Sequence, residues 1–126
     1  MLEEKIIKWG ETKDIALAYD ICEYLLKHQS AEKLIADVAA WGRDKGLKDP
    51  KAQLNKVIEE VGEMAHEVCR NRYDSGMMTD AIGDTLVTVI ILADILGYDP
   101  IDCLDEAYCT IKERKGETKN GTFVKE

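Results

Sequence analysis

The stretch from Lys56 to Val68, KVIEEVGEMAHEV, carries four glutamates, Glu59, Glu60, Glu63 and Glu67, in a segment whose other residues have the spacing of a core helix. At about 100° of turn per residue, Lys56, Glu60, Glu63 and Glu67 fall on one stripe, with Glu59 at its border. Leu54, Val57, Val61, Met64, Ala65 and Val68 form an apolar stripe beside it. A second acidic pair, Asp80 and Asp84, is spaced four residues apart in DAIGD and therefore shares a helix face. Carboxylates placed beside a buried helix must be solvated, paired or ligated to a metal. If two helices carrying these residues pack antiparallel, their carboxylates surround one or two divalent cations, and hard oxygen donors suit Mg²⁺ or Mn²⁺. The plain alternative is a solvated acidic face, with Asp80 favouring a helix N-terminus through the dipole.

The elements that must position these residues are helical. The spacing predicts helices over residues 13–27, 31–46, 50–71, 79–96 and 100–115. Ser30 and Thr79 are candidate N-caps, and Asp49-Pro50 and Asp99-Pro100 each place a capping Asp before a proline at the first helical position. RYDSGM reads as a short loop, and the GETKNGTFVKE tail, with two glycines, has no helical period. No strand is predicted. In the fourth helix Ile82, Leu86, Val87, Val89, Ile90, Ile91, Leu92, Ile95 and Leu96 surround most of the circumference. Such a helix is buried on several sides, which predicts a subunit interface and a homodimer or homotetramer. The expected architecture is all-α: an N-terminal helical extension, residues 1–29, beside a core of residues 30–126, assembled as an oligomeric helical bundle.

Composition excludes several classes. The 126 residues suffice for one domain with its own core. A net charge of −8, from 25 acidic and 17 basic residues, argues against binding a nucleic acid polymer, which requires a basic surface. It leaves room for a small phosphate ligand, because a divalent metal reverses the local charge. Cys22, Cys69, Cys103 and Cys109 form no C-x-x-C pair and read as small buried thiols in a reducing compartment. The N-terminal segment has no signal-peptide pattern, and the longest apolar run, Thr85–Leu96, is too short to span a bilayer. The expectation is a cytoplasmic protein with no membrane partner.

KVIEEVGEMAHEV followed by DAIGDTLVTVIILADILGYD resembles the MazG-like, all-α nucleoside triphosphate pyrophosphohydrolases, a superfamily that also holds dimeric dUTPases and phosphoribosyl-ATP pyrophosphohydrolases. Its pattern is E-E-x-x-E, a gap, then E-x-x-D, on two helices of a four-helix core. Glu59, Glu60 and Glu63 match the first half and Asp84 the last position, whereas Ala81 stands where the second-half Glu would fall. The resemblance covers roughly residues 31–126, and the tail is similar to that of small, phage-type members. It implies Mg²⁺-dependent cleavage of a (d)NTP between the α and β phosphates, giving a monophosphate and pyrophosphate. Glu60, Glu63 and Asp84 are then metal ligands, Asp80 takes the role vacated at Ala81, and Glu59 is the candidate general base.

A tetra-anionic substrate also needs cations. Lys56 on the acidic stripe, and Lys112, Arg114 and Lys115 at the end of the fifth predicted helix, are candidates, although cations favour a helix C-terminus for its dipole alone. Trp41 is either a base-stacking platform or core. Gln53 resembles the family's polar residue near the nucleotide, or is a surface amide. Two rival functions remain open: a catalytically impaired nucleotide-sensing or oligomerisation module, which Ala81 would permit, and a dUTPase-like or phosphoribosyl-ATP enzyme. A di-iron carboxylate site would use the E-x-x-H of Glu63 and His66, but it needs a second such motif and His28 has no Glu at that offset.

Overall fold

The computed structural model describes residues 2–27, 30–73 and 76–126. Among them are helices α1 (Leu2–Thr12), α2 (Ile15–Lys27), α3 (Ala31–Asp44), α4 (Pro50–Cys69), α5 (Gly76–Leu96) and α6 (Pro100–Ile111). A two-stranded hairpin follows, β1 (Gly116–Lys119) and β2 (Thr122–Lys125). The all-α architecture expected from the sequence is present. His28, and Asp74 and Ser75 within the RYDSGM loop, lie outside the described residues. The chain forms two compact units, residues 1–34 and 35–126.

In the first unit α1 and α2 pack on each other. The sequence reading has no helix before residue 13, because Leu2–Thr12 carries only a thin apolar stripe on a charged segment. The break between the two helices is local chemistry. Lys13 adopts a left-handed φ of 55°, and its N–H donates to the Trp9 carbonyl at 2.7 Å. Asp14 Oδ1 then accepts from the Ala16 N–H at 2.8 Å and starts α2.

The second unit is built on the antiparallel pair α4 and α5. Asp49 caps α4 by accepting from the Lys51 N–H at 3.0 Å, with Pro50 at the first helical position, as the sequence predicts. Asp99 does the same for α6 through Ile101 at 2.8 Å. Ser30 also caps as expected, accepting from Lys33 N–H at 3.2 Å. Thr79 does not cap: α5 begins at Gly76, so Thr79 lies inside it. Helix α4 ends in a Schellman motif in which Asn71 takes φ 55°, the Arg72 N–H donates to the Glu67 carbonyl at 3.2 Å and the Asn71 N–H to Val68 at 3.0 Å.

Gln53 Nε2 of α4 donates to the Thr88 carbonyl of α5 at 3.1 Å, tying the two helices together. Helix α3 approaches α5 at Gly42, where an added Cβ would stand 3.1 Å from Ile91 Cγ1, so a side chain there would require Ile91 to give way by a few tenths of an ångström. The tail corrects the expectation of no strand. Asn120 and Gly121, with φ 51° and 77°, form the two-residue turn between Lys119 and Thr122, and an Asn-Gly pair is the usual signal for such a hairpin.

Within one chain α5 is buried on one side: Met78, Ala81, Thr88 and Ile91 are buried, while Leu86 is 59% exposed. The buried set contradicts one further expectation. The four cysteines are free and exposed rather than buried. Among the described residues no single helix is long and apolar enough to cross a membrane.

Candidate functional site

On α4 the residues facing inward are Gln53, Glu60 and Glu67, at a spacing of seven. Seven residues are close to two helical turns, so these three share one face, and the Gln53–Thr88 bond shows that this face meets α5. The face turned away from α5 is apolar, with Leu54, Ile58, Val61 and Val68 all exposed. The apolar stripe of the sequence reading therefore exists, but it is the acidic stripe that lies against the neighbouring helix.

Next to this seam is a cavity of about 580 Å³ lined by Glu59, Gly62, Glu63, His66 and Glu67 of α4 and by Met77, Asp80, Ala81 and Asp84 of α5. The structure thus brings Glu59, Glu63, Asp80 and Asp84, all singled out from sequence, around one space. Glu60 is buried, with Oε1 at 3.5 Å from Lys56 Nζ and Oε2 without a hydrogen-bond partner. Glu67 is also buried. Its Oε1 lies 3.7 Å from the Arg72 guanidinium, and its Oε2 has no partner.

Electrostatics in this region are those of crowded like charges. The neighbouring Glu60 carboxylate, with a smaller contribution from burial, holds the Glu63 carboxyl above the ordinary glutamate range. Lys56 is held above its ordinary value by its hydrogen bond to Glu59, at 3.0 Å, and by Glu60. Among the described residues no three His, Cys, Asp or Glu side chains are already gathered as a ligand set. The donor chemistry nevertheless fits a hard divalent cation: Glu59, Glu63, Glu67, Asp80 and Asp84 line one cavity, Glu60 is buried but does not line it, Glu60 and Glu67 each have a buried oxygen without a partner, and Glu60 and Glu63 repel each other.

The remaining candidates are placed elsewhere. Gln53 is not a surface amide; it is buried and engaged with Thr88. Trp41 is 52% exposed on α3, which overturns the core reading, and it does not line the cavity. Lys112 caps the end of α6, its N–H donating to the Tyr108 carbonyl, and Arg114 and Lys115 follow it in exposed positions; none of the three lines the cavity. Lys56 is spent on Glu59 and Glu60. Sequence reasoning puts Glu67 on the acidic stripe but does not name it among the ligands, although its position seven residues beyond Glu60 is the signal that places it inside.

The segment that builds this site, residues 48–116, matches the MazG nucleotide pyrophosphohydrolase domain, and the chain belongs to that family. It is also 35% identical over 65 residues to an uncharacterized 18.2 kDa protein in the rep-hol intergenic region of Haemophilus phage HP1 (strain HP1c1). That alignment takes in 49% of this chain and 39% of the phage protein, so the chain matches well under half of its relative's length. No solved structure matches this chain.

Proposed function

We propose that the protein is a Mg²⁺-dependent nucleoside triphosphate pyrophosphohydrolase, cleaving a (d)NTP between the α and β phosphates to release pyrophosphate. The observation that supports this reading most is the cavity between α4 and α5 lined by Glu59, Glu63, Glu67, Asp80 and Asp84, together with a buried Glu60 Oε2 on α4 that has no partner. In a chain of this family, an orphaned anionic oxygen beside a like-charged neighbour is explained by a cation. Glu60, Glu63 and Asp84 would hold the metal, with Asp80 as the second carboxylate of α5. The bound metal would neutralise phosphate oxygens and acidify or orient water.

The chain's own residues have distinct tasks. The α4–α5 pair, locked by the Gln53–Thr88 bond, fixes the carboxylates on rigid helices rather than loops. Glu59 lines the cavity and hydrogen-bonds Lys56 through Oε2, which orients its carboxylate as the general base for an attacking water. Lys56 is a phosphate ligand only if it exchanges its carboxylate partners for substrate oxygens. Lys112, Arg114, Lys115 and Trp41, which do not line the cavity within one chain, would serve a substrate through an assembled oligomer.

Assembly is the second part of the proposal. Leu54, Ile58, Val61 and Val68 on α4, and Ile82, Leu86, Val89 and Leu96 on α5, are all exposed and follow the same four-then-three spacing. Two such stripes on paired helices are the surface of a bundle half, and a second copy is the complementary half.

The test of function is pyrophosphate release from a panel of NTPs and dNTPs with Mg²⁺, Mn²⁺ or EDTA. Metal-dependent release with a nucleoside monophosphate product supports the reading and names the substrate class. No release from any nucleotide, with Mg²⁺ binding intact, favours a nucleotide sensor.

A further inference from the structure

Resting on the cation-site reading above, we propose that Glu67 is a ligand of that site, supplying from α4 the carboxylate that α5 lacks at Ala81. Glu67 is 6% exposed, and its Oε2 is buried with no hydrogen-bond partner. Its other oxygen is 3.7 Å from Arg72, longer than a hydrogen bond, and that guanidinium is 45% exposed. The pair therefore leaves the carboxylate largely unsatisfied. Glu67 lines the same cavity as Glu63, Asp80 and Asp84.

Direction strengthens the case. Helical side chains tilt toward the N-terminus of their own helix, so Glu67 reaches back along α4 toward Glu63. The register set by Gln53 on Thr88 puts Ala81 level with Glu60, so Glu67 enters from the far end of the cavity that it and Ala81 both line. Ala81 is buried and lines the cavity with a methyl group, which leaves space there and offers no donor. A carboxylate from the facing helix that enters this space restores the donor count, and a cation with its water satisfies the orphaned oxygen. The competing role for Glu67 is as an anchor for Arg72 at the end of α4.

The experiment titrates the full chain with Mn²⁺, read by the electron paramagnetic resonance signal of free Mn²⁺, together with thermal melts with and without the ion. Wild type, Glu67→Gln, Glu67→Met and Arg72→Gln are compared. Both Glu67 variants are expected to melt, without metal, at or above the wild-type temperature, since a buried anion has been removed. Their Mn²⁺ affinity is expected to fall tenfold or more, and the Mn²⁺-induced rise in melting temperature to disappear. Arg72→Gln is expected to keep wild-type affinity within about twofold, because an exposed guanidinium 3.7 Å away, beyond hydrogen-bond distance, does little to orient Glu67. Wild-type affinity in both Glu67 variants overturns the proposal and leaves the cation site standing. Equal loss in Arg72→Gln, or both Glu67 variants melting well below wild type without metal, also overturns it, because Glu67 is then a structural anchor. A wild type that binds no Mn²⁺ removes the cation-site reading and this inference with it.

Discussion

The two long faces of the α4–α5 pair differ in a way opposite to an ordinary globular helix pair. The inner seam holds Gln53, Glu60, Glu67 and Thr88, while the outer face presents Leu54, Ile58, Val61 and Val68 beside Ile82, Leu86, Val89 and Leu96. A single chain with charge inside and hydrocarbon outside is an unfavourable object: the carboxylates lose hydration and the apolar face gains none. This contrast underlies both parts of the proposed function: a cation at the inner seam and a second copy on the outer face.

The comparison is broken most severely by charging the outer face. Val61→Glu is expected to convert the assembled protein to monomer and to lower its melting temperature strongly, because a carboxylate in an apolar interface goes without hydration or partner. Light scattering after size-exclusion chromatography measures this. An unchanged molar mass and melting point would make the stripe a free surface.

Glu63→Gln acts on the inner side. It should fold normally and lose roughly 100-fold or more of pyrophosphate release, as expected when a group holding a catalytic metal is removed. Full activity in a folded variant removes the site assignment.

Glu60→Met sharpens the contrast by making the seam apolar. Replacing a buried charge with a hydrophobic residue of similar size is expected to stabilise the metal-free protein by about 1–4 kcal/mol while abolishing release. Denaturant unfolding with EDTA checks the first outcome, and a loss of stability would show that the Lys56–Glu60 pair holds the seam together.

Helix positioning supplies smaller effects. Gly42→Val overpacks the α3–α5 crossing against Ile91 and is expected to cost about 1–3 kcal/mol. Asp49→Ala removes the α4 cap and is expected to cost about 1 kcal/mol without changing Mn²⁺ affinity. Reduced affinity in that variant would mean that the start of α4 and its carboxylate face are coupled.

Much of this organisation is legible in the sequence where the cause is local. Asp49-Pro50 and Asp99-Pro100 start helices because a side-chain oxygen and a missing N–H act within one turn. The E-E-x-x-E spacing and DAIGD place Glu59, Glu63, Asp80 and Asp84 on faces that turn out to line one cavity. The hairpin is equally local, and Asn120-Gly121 is its signal. Helix α1 lacks such a signal, since a thin apolar stripe among charges resembles a solvated segment as much as a helix.

Which stripe faces inward was not local. The apolar and acidic stripes of α4 share one helical period, so periodicity identifies two faces without ranking them. Composition favours burying Leu54 and Val61; the fold buries Glu60 and Glu67 instead. Only the pairing with α5, registered by Gln53 on Thr88, decides this, and it also brings Glu67 to the cavity and takes Gln53 away from it. The sequence by itself determined the helices, their ends and their carboxylates, because these depend on neighbours within a turn or two. Their orientation against each other depends on contacts between residues 35 positions apart, and the tertiary structure alone supplies those.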